Sequence, residues 1–110
     1  MSVKISNKGE VLYCSISGEI DHHSAGSIRK AIDDAANSAM PNLLVLDFAG
    51  VTFMDSSGIG LVMGRYRNIS KQGGKVHISN PSPYIHKLMH ISGIERIATM
   101  DPVREEESYR

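Results

Sequence analysis

The sequence has a single cysteine, Cys14. One cysteine excludes an internal disulfide and any zinc site built from several cysteine ligands. No stretch approaches the roughly 18 consecutive apolar residues that a membrane-spanning helix needs. The N-terminal segment also lacks the apolar core of a secretory signal peptide. We therefore expect a cytoplasmic protein that does not enter a membrane.

An excess of charge of one sign is also missing, because 12 basic and 12 acidic residues cancel. Without net positive charge, direct binding of nucleic acid is not expected. Arg65 and Arg67 are accordingly interpreted as solvated or partner-facing. The 41% of hydrophobic residues and the length of 110 residues are typical of one globular domain with a core of its own. We predict a single domain over residues 1–110.

Hydrophobic periodicity predicts strands that alternate with helices. An opening β-hairpin turns at residues 7–10 and places Cys14 on the inward face of its second strand, as a buried structural thiol. The remaining pattern predicts strands over 43–48, 76–78 and 94–99, and helices over 25–39, 56–72 and 83–93. The order β-β-α-β-α-β-α-β predicts an α/β domain with a mixed sheet, antiparallel at the hairpin and parallel where helices connect strands. The polar tail, residues 101–110, is expected to fray after at most one helical turn.

The most informative motif is Asp55-Ser56-Ser57-Gly58, which opens the predicted helix 56–72 after a short loop. Helix capping is one interpretation, although a cap needs only one such residue. A nucleophilic serine is disfavoured because the glycines of a nucleophile elbow are missing. A phosphate cradle is disfavoured because the glycine spacing misses the dinucleotide motif and Asp55 would repel a phosphate. The third functional interpretation is a serine that is itself phosphorylated, which adds about −1.5 to −2 charges at an exposed site.

A second polar segment, Asp21-His22-His23, ends the second predicted strand. It is either a polar loop or part of a metal site. Metal binding needs three or four convergent ligands, and adjacent histidines on an extended chain point to opposite sides. If the second and third strands are neighbours in the sheet, this segment lies on the same edge as Asp55 and Ser56. Asp21 would then contribute to the same surface.

Four stretches of the chain together resemble one known family. They span residues 18–25, 53–60, 64–66 and 72–74 and read GEIDHHSA, FMDSSGIG, GRY and QGG. In this order they resemble the STAS domain, and more narrowly the bacterial anti-sigma factor antagonists, especially those that oppose the anti-sigma F factor in sporulation. The resemblance implies that Ser56, the first serine after the aspartate, is phosphorylated. It also implies a partner-binding surface made of Asp21, His22, Asp55, Ser56, Ser57 and Gly58.

The resemblance implies a regulatory cycle. The unphosphorylated protein would bind an anti-sigma factor that is also an ATP-dependent serine kinase, and would thereby free the sigma factor. Phosphorylation would inactivate the protein, and a metal-dependent PP2C-type serine phosphatase would reverse it. The protein would be no enzyme, would be a monomer when free, and would hold no cofactor or metal, since ATP, ADP and Mg²⁺ belong to the kinase. The alternative function is a small ligand-binding or stress-sensing STAS module.

Overall fold

Five strands lie side by side in chain order across one sheet. The computed structural model describes residues 2–103, and within them the sheet order is β1-β2-β3-β4-β5. The elements are β1 (Ser2–Lys8), β2 (Val11–Ile20), α1 (Ala25–Ala39), β3 (Leu43–Met54), α2 (Ser56–Ser70), β4 (Lys75–Ser79), α3 (Pro83–Ile91), a 3₁₀ turn (Ile94–Arg96) and β5 (Thr99–Met100). β1 pairs with β2 antiparallel, and the other neighbouring strands pair in parallel. The predicted α/β fold with a mixed sheet and an opening hairpin is therefore confirmed.

The core lies between one face of the sheet and the helices. On β2, the inward residues Leu12, Cys14 and Ile16 are fully buried, whereas Tyr13 points to the other face and is exposed. This period of two is what a strand with one covered face requires. α1 contributes Ile28, Ile32 and Ala36 to the same core, at the spacing of one helical face. Cys14 is fully buried, which confirms its predicted place in the interior, and this burial raises the pKa of its thiol to about 11.

The helix boundaries follow local signals in the sequence. α3 begins after Ser82, whose hydroxyl accepts the Ile85 N–H at 3.2 Å, and it has Pro83 in its first turn. Ser24 precedes α1, but its hydroxyl does not cap the helix. Among the helices in residues 2–103, none has the length and hydropathy that crossing a bilayer requires.

Two boundary predictions are wrong. β3 does not end at residue 48 but runs to Met54, because β2 continues to pair with it across two register shifts. The predicted strand 94–99 is mostly a 3₁₀ turn, closed by the bond from Ile97 N–H to the Ile94 carbonyl, and only residues 99–100 join the sheet. Residues 101–103 are not helical, and the rest of the predicted tail lies outside the described residues.

Candidate functional site

Two polar turns meet at the carboxyl ends of β2 and β3. Ile20 is paired with Met54 in the parallel ladder, and the Asp55 N–H donates to the Ile20 carbonyl at 3.1 Å. Asp21 and Asp55 therefore leave the sheet side by side. This confirms the prediction that both motifs lie on one edge. We call this surface, residues 21–24 and 55–58, the polar edge.

Ser56 is the first residue of α2 and its side chain is exposed. The helix is capped by its neighbour, because the Asp55 carboxylate accepts the Ser57 N–H at 2.8 Å. The Ser56 hydroxyl makes no hydrogen bond to any residue in the described part of the chain. The cap thus leaves Ser56 free on a preformed helix start. No side chain in residues 2–103 is hydrogen-bonded to it as a general base would be, so the geometry suits a modified serine better than a nucleophile.

Gly58 has a packing role. It is buried, and a Cβ at this position would lie 2.3 Å from Cγ and Sδ of Met54, a fully buried side chain. Only glycine lets α2 begin this close to the end of β3. We predicted Gly58 as part of the partner-binding surface. Its burial corrects that prediction, since Gly58 shapes the polar edge from beneath and offers little surface to a partner.

Asp21 organises the turn that precedes α1. Its carboxylate accepts the N–H groups of His23 at 2.9 Å and Ser24 at 3.0 Å. The Ser24 hydroxyl in turn accepts the Asp21 N–H and donates to the Glu19 carbonyl. The bond from the Ser24 N–H lowers the pKa of Asp21, with a further contribution from His23. Asp21 is half-buried and holds this turn together, so part of its role is structural.

His22 and His23 are both exposed on the same turn. Their ring centroids lie 3.9 Å apart with a tilt of 39°. The expectation that the two rings point apart is wrong, because this segment is a tight turn and not extended chain. Within residues 2–103, no group of three or more His, Cys, Asp or Glu side chains is arranged to hold a metal ion. His22 remains available as an exposed contact on the polar edge.

Two aromatic side chains flank the polar edge and were not predicted as site residues. Tyr84, at the start of α3, donates its hydroxyl to the Met54 carbonyl at 3.1 Å while its side chain stays 57% exposed. Phe53 is 45% exposed near the end of β3. Exposed aromatic groups beside a polar turn are typical of protein interfaces. Phe53 belongs to the motif that the sequence singled out, but nothing in the sequence places Tyr84 beside it.

Arg65 and Arg67 behave differently from each other. Arg67 is exposed, in agreement with the prediction. Arg65 is only 5% exposed, and its Nε lies 2.7 Å from the Asp33 carboxylate on α1. The interpretation of Arg65 as solvated is therefore wrong. The ion pair between Arg65 and Asp33 joins α1 to α2.

Comparison with known proteins agrees with this fold. The sequence profile of the STAS domain matches residues 2–107. A protein of Paenibacillus polymyxa named anti-sigma F factor antagonist is 33% identical over 97 residues, 88% of this chain and 83% of that protein. A protein of Lysinibacillus sphaericus with the same name is 36% identical over 85 residues, 77% of this chain and 73% of that protein.

Solved structures show the same fold. The anti-sigma factor antagonist SpoIIAA in its unphosphorylated form superposes with a TM-score of 0.79 and 32% identity, covering 98% of this chain and 93% of that one. The phosphorylated form of the Bacillus SpoIIAA gives a TM-score of 0.73 at 32% identity, covering 98% and 96%. The small α/β domain and the free serine on a capped helix start place this chain in the same class of protein as these anti-sigma factor antagonists. The chain belongs to the STAS domain family.

Proposed function

We propose that this chain is an anti-sigma factor antagonist controlled by phosphorylation of Ser56. In its unphosphorylated form it binds an anti-sigma factor that is also a serine kinase, and it releases the sigma factor held there. The kinase then phosphorylates Ser56 with ATP, and the phosphorylated antagonist dissociates from the anti-sigma factor. A PP2C-type serine phosphatase restores the binding form. In this cycle the chain is a cytoplasmic regulator and not an enzyme, and the nucleotide and Mg²⁺ stay with the kinase.

The observation that carries the proposal is the free hydroxyl of Ser56. It is exposed on the first residue of α2, and the cap that would otherwise occupy it is supplied by Asp55. A kinase can therefore modify Ser56 without breaking a hydrogen bond of the fold. The relatives named as anti-sigma F factor antagonists, and the structures of SpoIIAA in both phosphorylation states, support the same assignment.

Phosphate transfer from the anti-sigma factor of the same genome tests the proposal. The chain is incubated with that kinase and ATP, and the incorporated phosphate is counted by intact-protein mass spectrometry. We expect one phosphate on the wild type and none on Ser56→Ala. Ser57→Ala is the matched control, because it removes the adjacent hydroxyl from the same turn, and it should still accept a phosphate. Equal incorporation into Ser56→Ala and wild type would show that the assigned site is wrong.

Binding to the ADP-loaded kinase is the second arm of the test. Ser56→Ala should keep its fold, since Ser56 makes no side-chain hydrogen bond to residues 2–103, and it should still bind the ADP-loaded kinase. It should release the sigma factor persistently, because it cannot be switched off. A wild-type chain that neither binds the kinase nor accepts phosphate would favour the ligand-binding STAS module instead.

A further inference from the structure

A groove between α1 and α2 continues from the polar edge and has a volume of about 290 Å³. Gly26 lines it on α1, and Gly60 and Gly64 line it on α2. A Cβ on any of these three glycines would have no atom of the described residues within 4 Å. None of them has a positive φ that would require glycine. Glycine is a poorer helix former than alanine, so nothing within the described fold explains why these positions lack a side chain.

Gly58 shows what an internal requirement for glycine looks like. Its Cβ would collide with Met54 at 2.3 Å, so the fold itself excludes a side chain there. Gly60 and Gly64 lie farther along the same helix and face open space instead. A side chain at these two positions would fill the groove and not the core. The free space is therefore available to a group from outside the chain.

Three arginines give this groove its charge. Arg29 on α1 and Arg65 and Arg67 on α2 line it, and no acidic residue does. Arg65 is 5% exposed, and its Nη1 donates to the Leu61 carbonyl at 3.3 Å. Its Nε pairs with the Asp33 carboxylate at 2.7 Å, and its Nη2 makes no hydrogen bond to the described residues.

Arg65 therefore brings a largely buried guanidinium to the floor of the groove, paired with Asp33 through Nε and with Nη2 making no hydrogen bond to the described residues. Burial lowers the pKa of Arg65, Asp33 opposes this shift, and the nearby positive charges of Arg29 and Arg67 reinforce it. Arg65 thus lies close enough to Arg29 and Arg67 to be repelled by both positive charges. A carboxylate placed among them would relieve that repulsion and accept hydrogen bonds in the bidentate geometry that arginine favours.

We propose that the α1–α2 groove receives an acidic side chain of the anti-sigma factor, whose backbone approaches α2 across Gly60 and Gly64. This inference rests on the proposed function and extends its binding surface. Ser57 links the two regions, since it belongs to the polar edge and also lines the groove. The groove is then occupied in the same complex that covers Ser56. Its positive charge matches an acidic segment, although the chain as a whole carries no net charge.

The glycine arm of the test separates binding from stability. Gly60→Ala and Gly64→Ala should leave the melting temperature unchanged or raise it, because alanine favours a helix and meets no atom in the groove. Affinity for the ADP-loaded anti-sigma factor, measured by isothermal titration calorimetry, should fall by about tenfold or more, since a close backbone approach leaves no room for a methyl group. Ser38→Ala, at an exposed position near the other end of α1, should leave the affinity unchanged.

The charge arm uses neighbouring residues of one helix. Arg29→Glu reverses a charge in the groove, and Lys30→Glu makes the same change beside it at a residue that pairs instead with Asp34 at 3.0 Å. Arg29→Glu should weaken binding at least about tenfold more than Lys30→Glu. Reversing one acidic residue of the anti-sigma factor to lysine should restore most of the affinity of Arg29→Glu, as expected for a direct pair.

The outcomes distinguish this inference from the proposed function. If the wild type binds and the glycine variants bind equally well, the groove assignment alone is overturned. The same holds if Arg29→Glu and Lys30→Glu weaken binding equally. Absence of wild-type binding overturns both proposals. Inorganic phosphate added to the free protein is the remaining probe. If it shifts the amide resonances of Gly60 and Gly64 while the variants keep full affinity for the partner, the groove holds a small anion and the proposal is wrong.

Discussion

Phosphorylation of Ser56 is expected to abolish partner binding without moving the backbone of the free protein. The phosphate would lie on the first residue of α2, where the helix N-terminus attracts a negative charge by roughly 0.3–1 kcal/mol. The Asp55 carboxylate next to it repels each unit of that charge by about 1 kcal/mol at a separation of roughly 4 Å in water. These two effects have opposite signs and similar size. The fold therefore has no driving force to rearrange.

The interface is where the free energy of binding is lost. The Ser56 hydroxyl is exposed in the free protein, so a phosphate there stays hydrated until the partner covers it. Removing water from the dianion, or placing it against a surface that fits a neutral hydroxyl, costs several kcal/mol. A loss of about 2.8 kcal/mol is already a hundredfold in affinity. We therefore expect the affinity for the ADP-loaded kinase to fall at least about a hundredfold.

Calorimetric titration and NMR together check this prediction. Affinities are compared for wild type, its Ser56-phosphorylated form and Ser56→Asp, which should reproduce part of the loss. Ser38→Asp adds the same charge at a distant exposed serine and should change little. Amide shifts between the free phosphorylated and unphosphorylated proteins should stay within residues 53–60. Amide shifts that spread through the sheet would refute this reasoning and indicate an allosteric switch. An affinity that phosphorylation leaves unchanged would also refute it.

Three further predictions concern the supports of the site. Gly58→Ala should lower the free energy of unfolding by about 1–3 kcal/mol, because its Cβ overlaps the buried Met54 side chain; an unchanged urea midpoint would contradict this. Asp21→Ala should lower the melting temperature at pH 7, since the carboxylate holds the turn before α1. Because folding lowers the pKa of Asp21, its stabilisation is present above about pH 4, the value in unfolded chains, and is lost as the pH falls through the lower folded value. The difference between Asp21→Ala and wild type should therefore shrink in acid, and a constant difference would count against the cap. Cys14 should resist a thiol reagent at pH 8 until urea unfolds the chain, because it is buried with a pKa of about 11; fast labelling of the native protein would contradict its burial.

The sequence predicts most of the fold because its periodic segments are local signals. The alternation around Cys14 and the helical period after Pro83 each extend over a few neighbouring residues, and the predicted strand and helix are both confirmed. The last six residues of β3 show no such alternation, because register shifts against β2 interrupt it. Gly50 lies in this stretch, where a Cβ would be 2.8 Å from the Cβ of Ser17. Only the neighbouring strand explains why that segment is extended.

The site was predictable in its motif but not in its surroundings. Asp55 and Ser56 announce a capped helix start from the sequence alone, and parallel strands bring Asp21 to the same edge. The burial of Arg65 could not be foreseen, because it depends on Asp33 reaching across from another helix. The place of Tyr84 depends likewise on how α3 docks against the end of β3.

The hydrogen bond from the Asp55 N–H to the Ile20 carbonyl means that the proposed phosphorylation site takes its native shape only in a completed fold. The two groups are separated in the sequence by α1 and β3, so they meet only when β3 pairs with β2 in its native register. A slip of one residue would move Asp55 by about 3.3 Å along the edge and turn its neighbours to the opposite face. A nascent or misfolded copy would contain the same residues around Ser56 in an unstructured segment, without a cap or a helix. A kinase that requires the cap would therefore ignore unfolded copies, and phosphate on Ser56 would count only antagonists that are competent to bind.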